Sequence, residues 1–116
     1  MGLDQYLYEM RQGMTPKEVT WNTAESCYWR KAYGIRELLL NAGKPIKDYE
    51  DAYIITRKSL IEILKTCVDI LVDSDPNNDL SYQMGIDLDT AKSTAIQLLK
   101  VLPESKSETF LYTESY

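Results

Sequence analysis

The stretch that follows Thr56 constrains this chain most. From Arg57 to Asp73 it reads as one long amphipathic helix, capped by Thr56, with an apolar side too wide for a single neighbour. Leu60, Ile61, Leu64, Cys67, Val68 and Leu71 form its core stripe, and Ile63, Ile70 and Val72 widen it. The polar stripe is Lys58, Glu62, Lys65, Asp69 and Asp73. Its i,i+4 pairs Lys58–Glu62 and Lys65–Asp69 add about 0.3 kcal/mol each. Such a helix is central and touched from two sides. Apolar surface that so small a chain leaves uncovered points to a homodimer.

The rest of the chain supplies its neighbours. Asn22 or Thr23 is placed to cap a helix from about Ala24 to Ala42, ended by Gly43 and Pro45. Its inward face is Tyr28, Ala32, Ile35, Leu39 and Ala42, widened by Trp29, Tyr33 and Leu40, with Arg30, Gly34, Glu37 and Asn41 behind. Asp87 or Asp89 caps a third helix to about Leu102, stopped by Pro103, with Leu88, Ala91, Ala95, Leu98, Leu99 and Leu102 inward. Leu3 to Met10 alternates as a strand, with Leu3 and Leu7 on one face and Tyr6, Tyr8 and Met10 on the other. Thr109 to Thr113 reads as a strand, and Tyr53 to Ile55 as a very short one. Thr15-Pro16-Lys17-Glu18 is a helix-start signal, but Val19 to Trp21 favour strand, so one turn of helix at most is expected there. Leu80 to Ile86 fits either state. The expected fold is α+β over a single domain, 1–116. Three main helices pack with a small antiparallel sheet formed by the terminal segments.

Charge and missing residue types exclude several activities. Thirteen basic against eighteen acidic residues give a net charge of −5, which disfavours direct nucleic-acid binding. The excess lies after residue 43: between Lys65 and Lys92 stand Asp69, Asp73, Asp75, Asp79, Asp87 and Asp89 with no base among them. That run is a candidate face for a basic partner; the plainer reading is a solvated surface that aids solubility. The chain has no histidine, which removes His-based nucleophile systems and zinc sites. Cys27 and Cys67 both fall in apolar patterns, as buried reduced thiols do. Asp73, Asp75, Asn77 and Asp79 follow the start of a calcium loop, but Asn78 replaces its glycine, Met84 its glutamate, and Pro76 interrupts it. An acidic turn is the better reading, and no metal or cofactor is expected. The glycines are isolated, so no phosphate-binding loop is present, and no carboxylate pair is placed for acid–base work. No apolar run approaches a membrane span of about 20 residues, and the first residues, with Asp4 and Glu9, lack a secretory signal.

Two aromatic groupings stand out. Tyr28-Trp29-Arg30-Lys31-Ala32-Tyr33 sets bases beside aromatics, a pattern that stacks on a nucleotide base and holds a phosphate, or that completes a core edge. Nine tyrosines against one phenylalanine suit surfaces that are sometimes covered. Tyr6, Tyr8, Phe110 and Tyr112 lie in the predicted strands, either on an open sheet face or on the face under the helices.

Three segments together resemble a family of small tailed-phage and prophage proteins. They are Met1-Gly2-Leu3-Asp4-Gln5-Tyr6-Leu7-Tyr8, then Tyr28-Trp29-Arg30-Lys31-Ala32, then Leu98 to Pro103 followed by Phe110-Leu111-Tyr112-Thr113-Glu114-Ser115-Tyr116. The chain departs from the family pattern at Tyr33, where an asparagine is usual, at Arg36, where a histidine is usual, and in the last aromatic run. The resemblance implies an accessory protein of the host cytoplasm. The expected function is non-enzymatic: binding and inhibition of a host protein, such as part of a defence system. The alternative is a small-molecule binder that sequesters a nucleotide signal. Candidate binding residues are Tyr6, Tyr8, Trp29, Arg30, Lys31, Tyr33, Phe110 and Tyr112, beside the acidic aspartates.

Overall fold

The two terminal segments alternate apolar and polar residues, and they pair with each other. The computed structural model describes residues 2–11, 13–22, 24–73 and 79–116, apart from the side chains of Trp21 and Asn22. In chain order the elements are β1 (Asp4–Met10), α1 (Pro16–Asn22), β2 (Cys27–Arg30), α2 (Tyr33–Ala42), β3 (Lys44–Pro45), β4 (Ala52–Thr56), α3 (Arg57–Val72), α4 (Leu80–Met84), α5 (Leu88–Glu104) and β5 (Thr109–Ser115). The fold is α+β, with three long helices on an antiparallel sheet of order β2-β1-β5-β4-β3. β1 and β5 run side by side in its middle, from Asp4 opposite Ser115 to Met10 opposite Thr109. The sheet is larger than the terminal segments alone.

The main correction concerns residues 24–42. The expected single helix is a strand followed by a helix. Cys27 and Trp29 are buried while Tyr28 and Arg30 are exposed, the period-two pattern of a strand paired with β1. The i,i+4 spacing of Tyr28 and Ala32 imitates a helix, but aromatic residues also favour strands, and a short apolar run does not separate the two. Lys31 then takes a left-handed conformation, φ 54°, which ends the strand and turns the chain into α2. Ile35 and Leu39 are buried as expected; Ala42 is exposed. The Thr23 cap lies outside the described residues.

Helix α3 forms where expected, and Thr56 accepts a hydrogen bond from the Ser59 amide. Its rotation differs. Leu60, Ile63, Cys67 and Ile70 are buried, whereas Ile61, Val68 and Leu71 are exposed. Apolar residues occupy so much of this helix that periodicity leaves the rotation open. The same holds for α5, where Ala91, Ala95, Leu98 and Leu102 are inward but Leu88 and Leu99 are not. Pro103 does not stop α5; it sits exposed in a last turn that runs to Glu104. There a missing amide costs one hydrogen bond at a wet end. α1 has two turns rather than one, because Thr15 and Glu18 form a reciprocal capping box, each amide donating to the other's side chain at 3.3 Å. Val19 then buries on Ala52 and Leu111.

Asp87 caps α5, its carboxylate accepting from the Thr90 amide at 2.6 Å. That hydrogen bond holds the Asp87 carboxyl below its ordinary range. A lowered folded-state value stabilises above the unfolded pKa, and the contribution is lost as pH falls through the folded one. Asp87→Ala therefore costs about 1 kcal/mol at neutral pH, while Asp87→Asn, still a good cap, costs less. Thermal unfolding checks this: the gap between Asp87→Ala and the parent narrows as pH drops below about 4.

Candidate functional site

The sheet has two faces, and strand alternation sorts the aromatic residues between them. Under the helices lie Leu7, Cys27, Trp29, Ile55, Phe110 and Tyr112, all in one core. Trp29 donates its indole N–H to Thr94 Oγ1 of α5 at 2.8 Å. Three of the expected binding residues, Trp29, Phe110 and Tyr112, are thus core residues, because the inward parity of β2 and β5 falls on them. Arg30 follows Trp29 by one residue and so points to the opposite face. Lys31 is exposed at the left-handed turn, and Tyr33 is exposed in the first turn of α2. The segment 29–33 therefore does not converge on the expected nucleotide pocket. A shallow cleft of about 230 Å³ lies beside it, lined by Tyr28, Trp29, Arg30, Ala32, Asp89, Thr90 and Ser93. Its one base, Arg30, shares the lining with an acid, Asp89.

A buried polar network holds this corner in place. The Gln5 amide clamps the backbone of Ala32, accepting from its N–H at 2.8 Å and donating to its carbonyl at 3.2 Å. Gln5 also donates to the Tyr112 hydroxyl at 3.1 Å, which donates to Glu114 Oε2 at 2.8 Å. Arg36 of α2 closes the chain on the same oxygen at 2.5 Å. Burial pushes the Tyr112 phenol well up, and its bond to Glu114 adds to this. The Glu114 side chain is fully enclosed, and its Oε1 has no hydrogen-bond partner among the described residues. The network ties β1, β5 and the start of α2 together at the end of β2.

The other face is only partly covered. Val19 of α1, with Met14 and Ile46, packs on Ala52, Leu111, Tyr8 and Met10. From Tyr8 at the edge of this cover a row runs through Tyr6 to Tyr28, with ring centroids 6.4 Å apart for Tyr6–Tyr8 and 5.4 Å for Tyr6–Tyr28. Tyr6 and Tyr28 are directly opposite in the β1–β2 register, as are Asp4 and Arg30 beside them. The Tyr28 hydroxyl donates to Asp4 Oδ1 at 2.6 Å, and this bond raises the phenol's pKa. The backbone of Tyr28 is fixed as well: its N–H donates to Gln97 Oε1 at 2.8 Å, and its carbonyl accepts from Gln97 Nε2 at 3.0 Å. One glutamine side chain so occupies the outer edge of β2, where another strand would otherwise add. The expected helix concealed that Tyr28 and Asp4 lie together on this face. The alternation Cys27-Tyr28-Trp29-Arg30 is the signal that reveals Tyr28.

The acidic residues gather at one end of the helix layer, and several of them act as caps. Asp79 accepts from the Tyr82 amide at 3.2 Å, Asp87 from that of Thr90, and Asp73 from that of Leu80 at 3.0 Å. Asp69 and Asp89 are exposed on α3 and α5. Asp75 and the rest of the would-be calcium loop from 74 to 78 lie outside the described residues. Among the described residues no group of three or more carboxylate, thiol or imidazole side chains is placed to hold a metal ion. Burial pushes the Cys27 thiol up to about 12 and the Cys67 thiol up to about 11, so neither is an activated nucleophile. No helix of the described residues is long and apolar enough to cross a membrane. No family model, curated protein or solved structure matches the chain.

Proposed function

We propose that this is a non-catalytic binding protein that docks its open sheet face on another protein. The observation that carries this reading is the row Tyr8–Tyr6–Tyr28, in which Tyr28 is held opposite Tyr6 by β1–β2 pairing, by Asp4 and by Gln97. Rigid tyrosines give large amphipathic contact area at low entropic cost, and here an acid and a base flank them. The sequence resemblance to tailed-phage proteins makes a host protein the natural target and inhibition the natural outcome. The nucleotide-sequestering alternative has no such support, since Trp29, Phe110 and Tyr112 are enclosed.

The experiment is capture of host proteins from bacterial lysate on immobilised parent and variants. Tyr6→Ala/Tyr28→Ala is expected to lose a specific partner by at least about tenfold, as tyrosine anchors commonly do. Asp69→Asn/Asp89→Asn, on the helix layer, is expected to keep it. A partner lost with the aspartates and kept without the tyrosines moves the docking surface to the acidic end.

A further inference from the structure

The helix layer leaves an apolar face on its outer side. α3 turns Ser59, Ile63 and Thr66 toward α2, where they line a hollow with Leu38, Asn41 and Ala42. α5 turns Thr94 and Gln97 toward β2. The remaining exposed sides of α3 and α5 therefore adjoin each other, pointing away from the sheet. They carry Ile61, Val68, Leu71 and Val72 on α3, and Leu88, Ile96 and Leu99 on α5, between 39% and 70% exposed. Seven exposed large apolar side chains on two adjoining helices are the kind of surface that marks an interaction site. The two helices are antiparallel: the Arg57 guanidinium at the start of α3 donates to the carbonyls of Leu102 and Ser105 at the end of α5.

That antiparallel arrangement sorts the charges by end. Asp69, Asp73, Asp87 and Asp89 outnumber Lys65 and Lys92 where α3 ends and α5 begins. Arg57, Lys58 and Lys100 outnumber Glu62 and Glu104 at the opposite end. We infer that this face binds a second copy of the same chain about a twofold axis through its middle. The axis lays the acidic end of each copy over the basic end of the other and buries the apolar centre twice. A surface that is apolar at its centre and opposite in sign at its ends is its own complement, which an isologous dimer requires. α3 is about 24 Å long and α5 lies beside it, so the face offers two full-length helices to its partner. The dimer directs the two tyrosine rows outward on opposite sides. A partner with two sites then gains avidity that a monomer lacks.

Sedimentation equilibrium at micromolar concentration tests this. The parent is expected at twice its 13.4 kDa chain mass. Val68→Glu/Leu99→Glu, at exposed positions, is expected to weaken association at least 100-fold while keeping a single cooperative thermal transition, lowered only by the lost dimer. Two charge variants then test the geometry: Asp69→Lys/Asp89→Lys and Lys58→Glu/Lys100→Glu. Each alone is expected to self-associate at least tenfold more weakly, and the two mixed one to one are expected to regain a dimer. A monomeric parent overturns the inference. So does a dimer that Val68→Glu/Leu99→Glu leaves intact, or charge variants that fail to restore each other. None of these results decides whether the tyrosine row is the docking surface.

Discussion

Arg36→Met is expected to destabilise the protein by about 3 kcal/mol. Arg36 supplies the positive charge to Glu114, whose side chain is wholly enclosed while that of Arg36 is 31% exposed. Removing the arginine leaves a buried carboxylate without its cation, which commonly costs about 3–5 kcal/mol. The lower end applies because water reaches one side of the pair. Glu114→Gln in the same protein removes the charge but keeps an acceptor for the Tyr112 hydroxyl. The double variant is therefore expected to recover more than half of the loss. Urea midpoints at constant m-value measure both effects. A loss within about 0.5 kcal/mol in Arg36→Met contradicts the enclosed pair.

The second large effect separates two neighbours in sequence. Trp29→Ala is expected to cost about 3–5 kcal/mol, as other large aromatic truncations in cores do. The indole is 5% exposed, lies in the main core and donates to Thr94. Trp29→Phe keeps most of the apolar contact but leaves the Thr94 hydroxyl without its donor, so a smaller loss of about 1 kcal/mol is expected. Arg30→Ala is expected within about 0.5 kcal/mol of the parent, since Arg30 is exposed on the opposite face. Chemical denaturation of the three variants checks the pattern. If Trp29→Ala is tolerated and Arg30→Ala is not, residues 27–30 are not a strand seated under α5.

This pair also shows where sequence reasoning stopped. The residues Thr56, Asp87 and Gly43, with the long apolar stripes, located three helices, and the alternation from Leu3 to Met10 located β1. What failed was rotation and one conformational switch. α3 and α5 carry apolar residues around so much of their circumference that only packing against the sheet decides which ones face in. Ile61 and Ile63 are chemically alike, and the fold buries the second. Residues 27–30 satisfy both a helical and a strand pattern, and long-range pairing with β1 resolves them. That pairing seated Trp29 under α5 and brought Tyr28 out beside Tyr6. The Gln5 clamp on Ala32 and the Arg36–Glu114 pair join residues far apart in the chain, so no local pattern announces them. Tyr6 and Tyr8 were legible as neighbours on one sheet face because they alternate against Leu7; the contact of Asp4 was not, because it appears only once Tyr28 is beside it.

The expected acidic face also takes on a different meaning. Asp73, Asp79 and Asp87 hold helix starts in place, which is why aspartate is frequent in just this stretch. Asp69 and Asp89 remain as surface charges at one end of the helix layer.

The central proposal, that the tyrosine row is the docking surface, is tested most directly by hydrogen–deuterium exchange on the complex with a captured partner. Protection gained on binding is expected in 4–8 and 27–30, with the helix layer at 57–72 and 88–104 unchanged relative to the free protein. Protection confined to the helix layer, with β1 and β2 exchanging as before, contradicts the proposal.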